Sequence, residues 1–317
     1  MVEAPHPQSV ICTTTGRAVA LKVHQCVWSG AYAPNSLAAI QDCYRARVVR
    51  AEIDVAMLKD ADFLVVHDLH LAPSTDGDGR VDETRRSDAV RVHLRHHGRV
   101  HPALLSEVVA AIAAEPYPTL LELDLKDWKP WPWPRVEELA RVLQPVKDRI
   151  TFGGGADWNL RRLQHVDPNL PMGFTITDYL DWGPAEQPIG PPAAGSTAEP
   201  RLPGVRGAYG YLDAHPLAQA RLGSTADYLR DRIGAIVRLV PRAREIHIRL
   251  LAVEHMLADG LTDLADLLHA QGMLLDVWTL NAGTPRWRER LEIALAAGAD
   301  VITTETPREL AQAAILA

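Results

Sequence analysis

Acidic, basic and imidazole groups recur at every second position of three apolar stretches: Arg50-Ala51-Glu52-Ile53-Asp54-Val55, Glu122-Leu123-Asp124-Leu125-Lys126 and Glu245-Ile246-His247-Ile248-Arg249-Leu250. Side chains on a strand alternate between its faces, so each stretch presents one charged and one apolar face. Two imidazoles sit where other apolar runs stop: His24 closes residues 18–23 and His67 closes residues 63–66. Carboxylates gathered together repel unless some are protonated or a cation lies between them, and a hard divalent ion takes oxygen ligands. Salt bridges to Lys22, Lys126 or Arg249 would also neutralise them, so the strand pattern alone leaves both solutions open. Imidazole can serve as acid and as base near neutral pH, which suits cleavage of a phosphodiester.

The elements that would position these groups follow from periodicity. Strand-like runs fall near residues 18–24, 48–55, 119–126, 150–153, 171–177, 244–250, 274–280 and 301–305. Helix-compatible spacing covers residues 36–46, 104–114, 135–143, 158–165, 224–237, 261–270 and 286–297. Alternation of strand and helix implies a parallel sheet, and eight such units predict an α/β fold of the (β/α)8 TIM barrel type in one domain spanning 1–317. An open doubly wound sheet is the alternative. Residues 68–101, with the turn-forming run Leu71 to Gly79, are long for a strand-to-helix connection and are expected to make an excursion over the barrel mouth. Residues 182–207 concentrate proline and glycine and are expected to form a surface loop.

Composition narrows the function classes. A net charge of -7 and a pI near 6.0 give no basic footprint for nucleic acid. No run reaches the roughly 18 apolar residues of a membrane span, and Met1 to Gly16 has no leader-like pattern, so a cytoplasmic protein without obligatory membrane contact is expected. Cys12, Cys26 and Cys43 lack metal-type spacing. Gly153-Gly154-Gly155 lacks the context of a phosphate loop and reads as a flexible turn. Trp128, Trp131 and Trp133 can either wall a substrate pocket or pack over the helix expected from residue 135. His93, His96 and His97 read as solvated loop residues.

The order of residues resembles the glycerophosphodiester phosphodiesterases, within the phospholipase C-like phosphodiesterase superfamily. The resemblance rests on His24, Asn35-Ser36-Leu37-Ala38-Ala39, Glu52-Ile53-Asp54-Val55 and Val65-Val66-His67-Asp68 with Leu71, Thr75, Gly77 and Gly79. It continues through His101-Pro102-Ala103-Leu104, Asp124-Leu125-Lys126, Val277-Trp278-Thr279-Leu280-Asn281 and Gly298 to Pro307. The resemblance implies that His24 and His67 are the acid–base pair. It implies that Glu52, Asp54 and Asp124 hold one divalent cation, Mg2+ or Ca2+, that Lys126 contacts the phosphate, and that Trp278 walls the pocket. Glu122 and His247 share the charged strand faces and are further substrate-binding candidates. The implied partner is a small-molecule phosphodiester, hydrolysed to an alcohol and a phosphomonoester.

The chain departs from the family in places. The usual His-Arg-Gly is His24-Gln25-Cys26, and Pro-Glu-Asn-Thr is Ala33-Pro34-Asn35-Ser36. Loss of the arginine is similar to the related phospholipase D toxins, so a lyase forming a cyclic phosphate is the second expectation, and a barrel that binds a phosphorylated ligand without turnover the third. Arg249 is a candidate to replace the missing arginine, its alternative being a salt bridge to Glu122 or Glu245.

Overall fold

A computed structural model describes residues 4–95, 98–183 and 206–315. The chain adopts the expected (β/α)8 barrel fold. Its strands are β1 (Val10–Cys12), β2 (Ala18–Val23), β3 (Arg50–Met57), β4 (Phe63–Val65), β5 (Leu120–Leu125), β6 (Ile150–Gly153), β7 (Met172–Thr175), β8 (Ala243–Arg249), β9 (Leu274–Trp278) and β10 (Val301–Thr304). The sheet order is β1-β2-β10-β9-β8-β7-β6-β5-β3-β4, with β2 paired to β3 as well. The eight strands expected from the sequence are β2, β3 and β5 through β10, while β1 and β4 add antiparallel pairings to β2 and β3. The Pro/Gly-rich stretch read as a surface loop falls almost wholly on residues 184–205, which lie outside the described residues, as do His96 and His97.

The chain divides into two compact units, Met1–Met172 with Thr303–Ala317, and Gly173–Ile302. In the first, β3 and β5 pair in parallel with Glu52 opposite Glu122 and Asp54 opposite Asp124. Period two then turns Ala51, Ile53, Val55, Leu121 and Leu123 to the other face, where all are fully buried. The helix Leu37–Ala46 begins at Ser36, whose hydroxyl accepts from the Ala39 N–H at 3.2 Å. Residues 68–95 pack through Leu69, Leu71, Val81 and Ala89 onto Ala56, Leu58, Leu64 and Leu104. They are tied by bridges between His70 and Arg80 and between Thr75 and Leu94.

The glycine run after β6 has a packing reason. Gly154 has φ +136°, and a Cβ there would lie 3.0 Å from the Leu125 carbonyl oxygen. Trp131 packs: it is fully buried, its backbone N–H donating to Asn159 Oδ1 at 2.9 Å, while Trp128 meets Trp158 edge-on and Trp133 is 45% exposed. Asn159 and Trp158 belong to the helix Asp157–Val166, and Trp133 opens the helix Trp133–Leu143.

The second unit pairs β8 with β9 in parallel, placing His247 opposite Asp276 and Arg249 opposite Trp278. Ile246, Ile248, Leu275 and Val277 form the apolar side. The helix Leu250–Ala258 follows β8 without a break and was not anticipated. Its start carries no capping side chain, and its leucines continue the apolar run of the strand, so the sequence holds no stop signal between them. No described helix is long and apolar enough to cross a membrane.

Candidate metal and acid–base site

Glu52, Asp54 and Asp124 come together in the first unit, each offering a carboxylate oxygen within 4.8 Å of the others. In-register pairing of β3 with β5 is the cause, since it stacks Asp54 beside Asp124 on one face. Glu52 and Asp54 are buried, and Asp124 is partly exposed. Lys126, two residues on, bridges Asp54 Oδ1 at 2.7 Å and Asp124 Oδ2 at 2.5 Å. Burial would lower the lysine's proton affinity, but Asp124, Asp54 and Glu52 together hold it well above its ordinary value.

The two buried carboxylates respond in opposite directions. For Asp54, burial pushes upward, but the Lys126 and His67 charges and hydrogen bonds from Lys126 and Asn35 bring it down to about 2. For Glu52, burial and the Asp54 charge outweigh the attraction of His24 and hold its carboxyl well above the usual carboxylate range. Glu52 Oε1 has no hydrogen-bond partner among the described residues. A buried, unsatisfied carboxylate oxygen beside two further carboxylates fits an oxygen-liking divalent cation, whose charge would relieve that repulsion.

The turn that replaces His-Arg-Gly supports this cluster from above. Gln25 and Cys26 take left-handed backbone conformations, φ 48° and 56°, costing roughly 1–2 kcal/mol each for residues with a Cβ. That turn aims the Gln25 N–H at Glu52 Oε2, 2.8 Å, and its side-chain amide at Asp54 Oδ2, 2.8 Å. Asn35, also left-handed at φ 60°, donates its side-chain amide to the same Asp54 oxygen at 2.7 Å and accepts from the Asp54 N–H at 3.1 Å. Both residues were read from the sequence only as family positions, because their hydrogen bonds depend on turn geometry that residue type does not announce.

His24 opens the turn after β2, and His67 lies two residues past β4, where the Val66 N–H donates to the Asp54 carbonyl at 3.1 Å. Each imidazole has Nδ1 against a carboxylate: His24 with Glu305 at 3.0 Å and His67 with Asp68 at 3.3 Å. An ionised carboxylate only accepts, so Nδ1 carries the proton and Nε2 is presented. His24 Nε2 is 3.8 Å from Glu52 Oε2. Burial alone would lower the His24 pKa, but the Glu305 hydrogen bond and the Glu52, Asp54 and Glu305 charges raise it to about 9. A 270 Å³ cavity adjoins His67 and is lined by Gln25, Asn35, Ser74 and Arg95 among others.

The remaining candidates have structural partners. Glu122 forms a buried ion pair with Lys22. In the second unit His247 is buried between Glu245, 3.2 Å, and Asp276, 3.9 Å. Arg249 Nη1 lies 3.1 Å from Asp181 Oδ2, and its guanidinium stacks over the Trp278 ring at 5.4 Å.

Comparison with known proteins was made on both sequence and structure. Residues 28–182 match the model of the glycerophosphoryl diester phosphodiesterase family. No curated protein matches the chain. A solved Agrobacterium tumefaciens structure assigned as a glycerophosphoryl diester phosphodiesterase is 14% identical, with TM-score 0.64, covering 94% of this chain and 98% of that one. A Parabacteroides distasonis glycerophosphodiester phosphodiesterase is 14% identical, TM-score 0.61, covering 93% and 96%. An Oleispira antarctica phosphodiesterase, solved with its product sn-glycerol-3-phosphate, is 17% identical, TM-score 0.55, covering 94% and 96%. At these identities the structural likeness is one of fold.

Proposed function

We propose that the chain, whose residues 28–182 match the glycerophosphoryl diester phosphodiesterase family, is a phosphoric diester hydrolase that cleaves a glycerophosphodiester with His24 and His67 as its acid–base pair. The observation that carries the reading is the pair of imidazoles, each held at Nδ1 by a carboxylate and each leaving Nε2 to work, flanking a buried carboxylate cluster. One imidazole accepts the proton of the attacking water. The other protonates the departing alkoxide, and Glu305 and Asp68 orient the two rings for this exchange.

Glu52, Asp54 and Asp124 would hold one divalent cation, Mg2+ or Ca2+, which when bound neutralises charge that develops on the phosphoryl oxygens. Lys126 bears on the same charge from its place between Asp54 and Asp124. Gln25 and Asn35 fix the Asp54 carboxylate, so that its free movement does not blur the ligand set. A small-molecule diester is the substrate, as the product carried by the Oleispira antarctica relative supports.

Hydrolysis in solvent enriched in 18O tests the chemistry. A water nucleophile puts one solvent oxygen into the phosphomonoester in a single turnover, and the His24→Ala and His67→Ala proteins each lose most of the conversion. A cyclic phosphate free of label would replace this reading with the lyase.

A further inference from the structure

The cavity beside His67 has a lining of one kind. Its walls are Ala33, Pro34, Val65, Val66, Pro73 and Leu94, and its polar groups are Gln25, Asn35, His67, Ser74 and Arg95. Among the described residues no carboxylate lines it, and its one aromatic ring is the His67 imidazole. Gln25 and Asn35 each turn one side-chain N–H to Asp54, and Ser74 donates to Asp68 Oδ2 at 2.8 Å. That leaves Arg95, exposed to solvent, as the lining group with a permanent positive charge.

Arg95 is held in place by its own backbone and stem. Its N–H donates to the Ser74 carbonyl at 3.0 Å, and its Nε donates to the Ala72 carbonyl at 2.7 Å. Among the described residues no hydrogen bond or ion pair engages its two Nη nitrogens, and no carboxylate pairs with it. A guanidinium oriented at Nε with an unspent terminal pair is a ready receptor for a planar or tetrahedral anion. A cationic headgroup would instead want a carboxylate or a cage of several aromatic rings, and the described lining, whose one ring is His67, supplies neither.

We propose that Arg95 reads a negative charge on the alcohol portion of the diester, making this chain selective for leaving alcohols that carry a carboxylate or a second phosphate. The inference rests on the hydrolase reading above. Arg95 acts as a specificity residue, and nothing in the proton transfers passes through it.

Glycerophosphoserine and glycerophosphoethanolamine differ by one carboxylate and make the test. The ratio of their kcat/KM values is measured in the wild type, Arg95→Ala and Arg95→Lys. Any loss of folded protein cancels in that ratio. The expected result is a wild-type preference for the serine diester on the order of tenfold, collapsing towards one in Arg95→Ala and partly kept in Arg95→Lys, which retains the charge without the fork. Turnover of both diesters with a wild-type ratio near one, or a ratio that Arg95→Ala leaves unmoved, overturns the proposal and leaves the hydrolase reading standing. Turnover of neither diester overturns both.

Discussion

Replacing Glu52 by Gln should stabilise the metal-free protein while abolishing its stabilisation by metal. Glu52 is 3% exposed, its Oε1 has no hydrogen-bond partner among the described residues, and burial and Asp54 hold its carboxyl well above the usual range. Near pH 7.5 the folded chain therefore keeps a carboxyl group in conditions it disfavours. A glutamine can still accept the Gln25 N–H that now reaches Glu52 Oε2 at 2.8 Å. The substitution removes an unsatisfied buried acid, a defect of about 1–3 kcal/mol, and leaves a neutral amide with a smaller one. A net gain of about 1 kcal/mol corresponds to roughly 2–4 °C in the melting temperature. Metal at a hundredfold excess over its Kd adds about 2.7 kcal/mol to the wild type, and the variant loses most of that. The assay is thermal unfolding in chelator and in millimolar Mg2+ or Ca2+. A variant that melts below the wild type in chelator, or that keeps the full metal shift, would refute the reasoning.

Four further outcomes are expected. Since the His24 pKa is raised from 6.5 to about 9, its contribution to stability is fully present below about pH 6.5 and is lost as pH rises through about 9. Chelated wild type should lose up to about 3 kcal/mol across that window, and His24→Ala should flatten the profile in denaturant titrations. Asp54, brought down to about 2, acts with the opposite sign: its contribution, about 2 kcal/mol, is present above about pH 4 and lost as pH falls towards 2, so Asp54→Asn should be less sensitive to acid unfolding. His67→Ala should lower kcat by about a hundredfold or more with little change in melting temperature, because this side chain is half exposed and bonds only Asp68 among the described residues. Gln25→Ala, which removes one donor from Asp54, should weaken metal binding by isothermal titration by about tenfold, and an unchanged Kd would show that the amide does not hold the ligand.

Much of the candidate site was legible because it is written in period two. Glu52, Asp54, Asp124 and Lys126 fall on one face of two strands, and parallel pairing in register, which the barrel pattern implies, brings those faces together. His24 and His67 were legible as punctuation at the ends of apolar runs. What was not legible depends on turn conformation or on distant chain. The left-handed Gln25, Cys26 and Asn35 turn their donors onto carboxylates that no spacing rule connects to them. Glu305 reaches His24 across 281 residues of sequence. Arg95 stood in a long charged stretch without strand or helix periodicity, and only the fold sets it in one cavity with His67. The helix Leu250–Ala258 was hidden for another reason, since a buried strand and a buried helix both read as apolar runs.

The central claim is that this carboxylate and imidazole constellation performs metal-dependent phosphodiester hydrolysis. Phosphorus NMR of the wild type and His67→Ala with glycerophosphodiesters, in Mg2+, in Ca2+ and in chelator, addresses it most directly. The account predicts a phosphomonoester signal that grows only with metal and only in the wild type. Conversion that continues unchanged in chelator or in His67→Ala would contradict it.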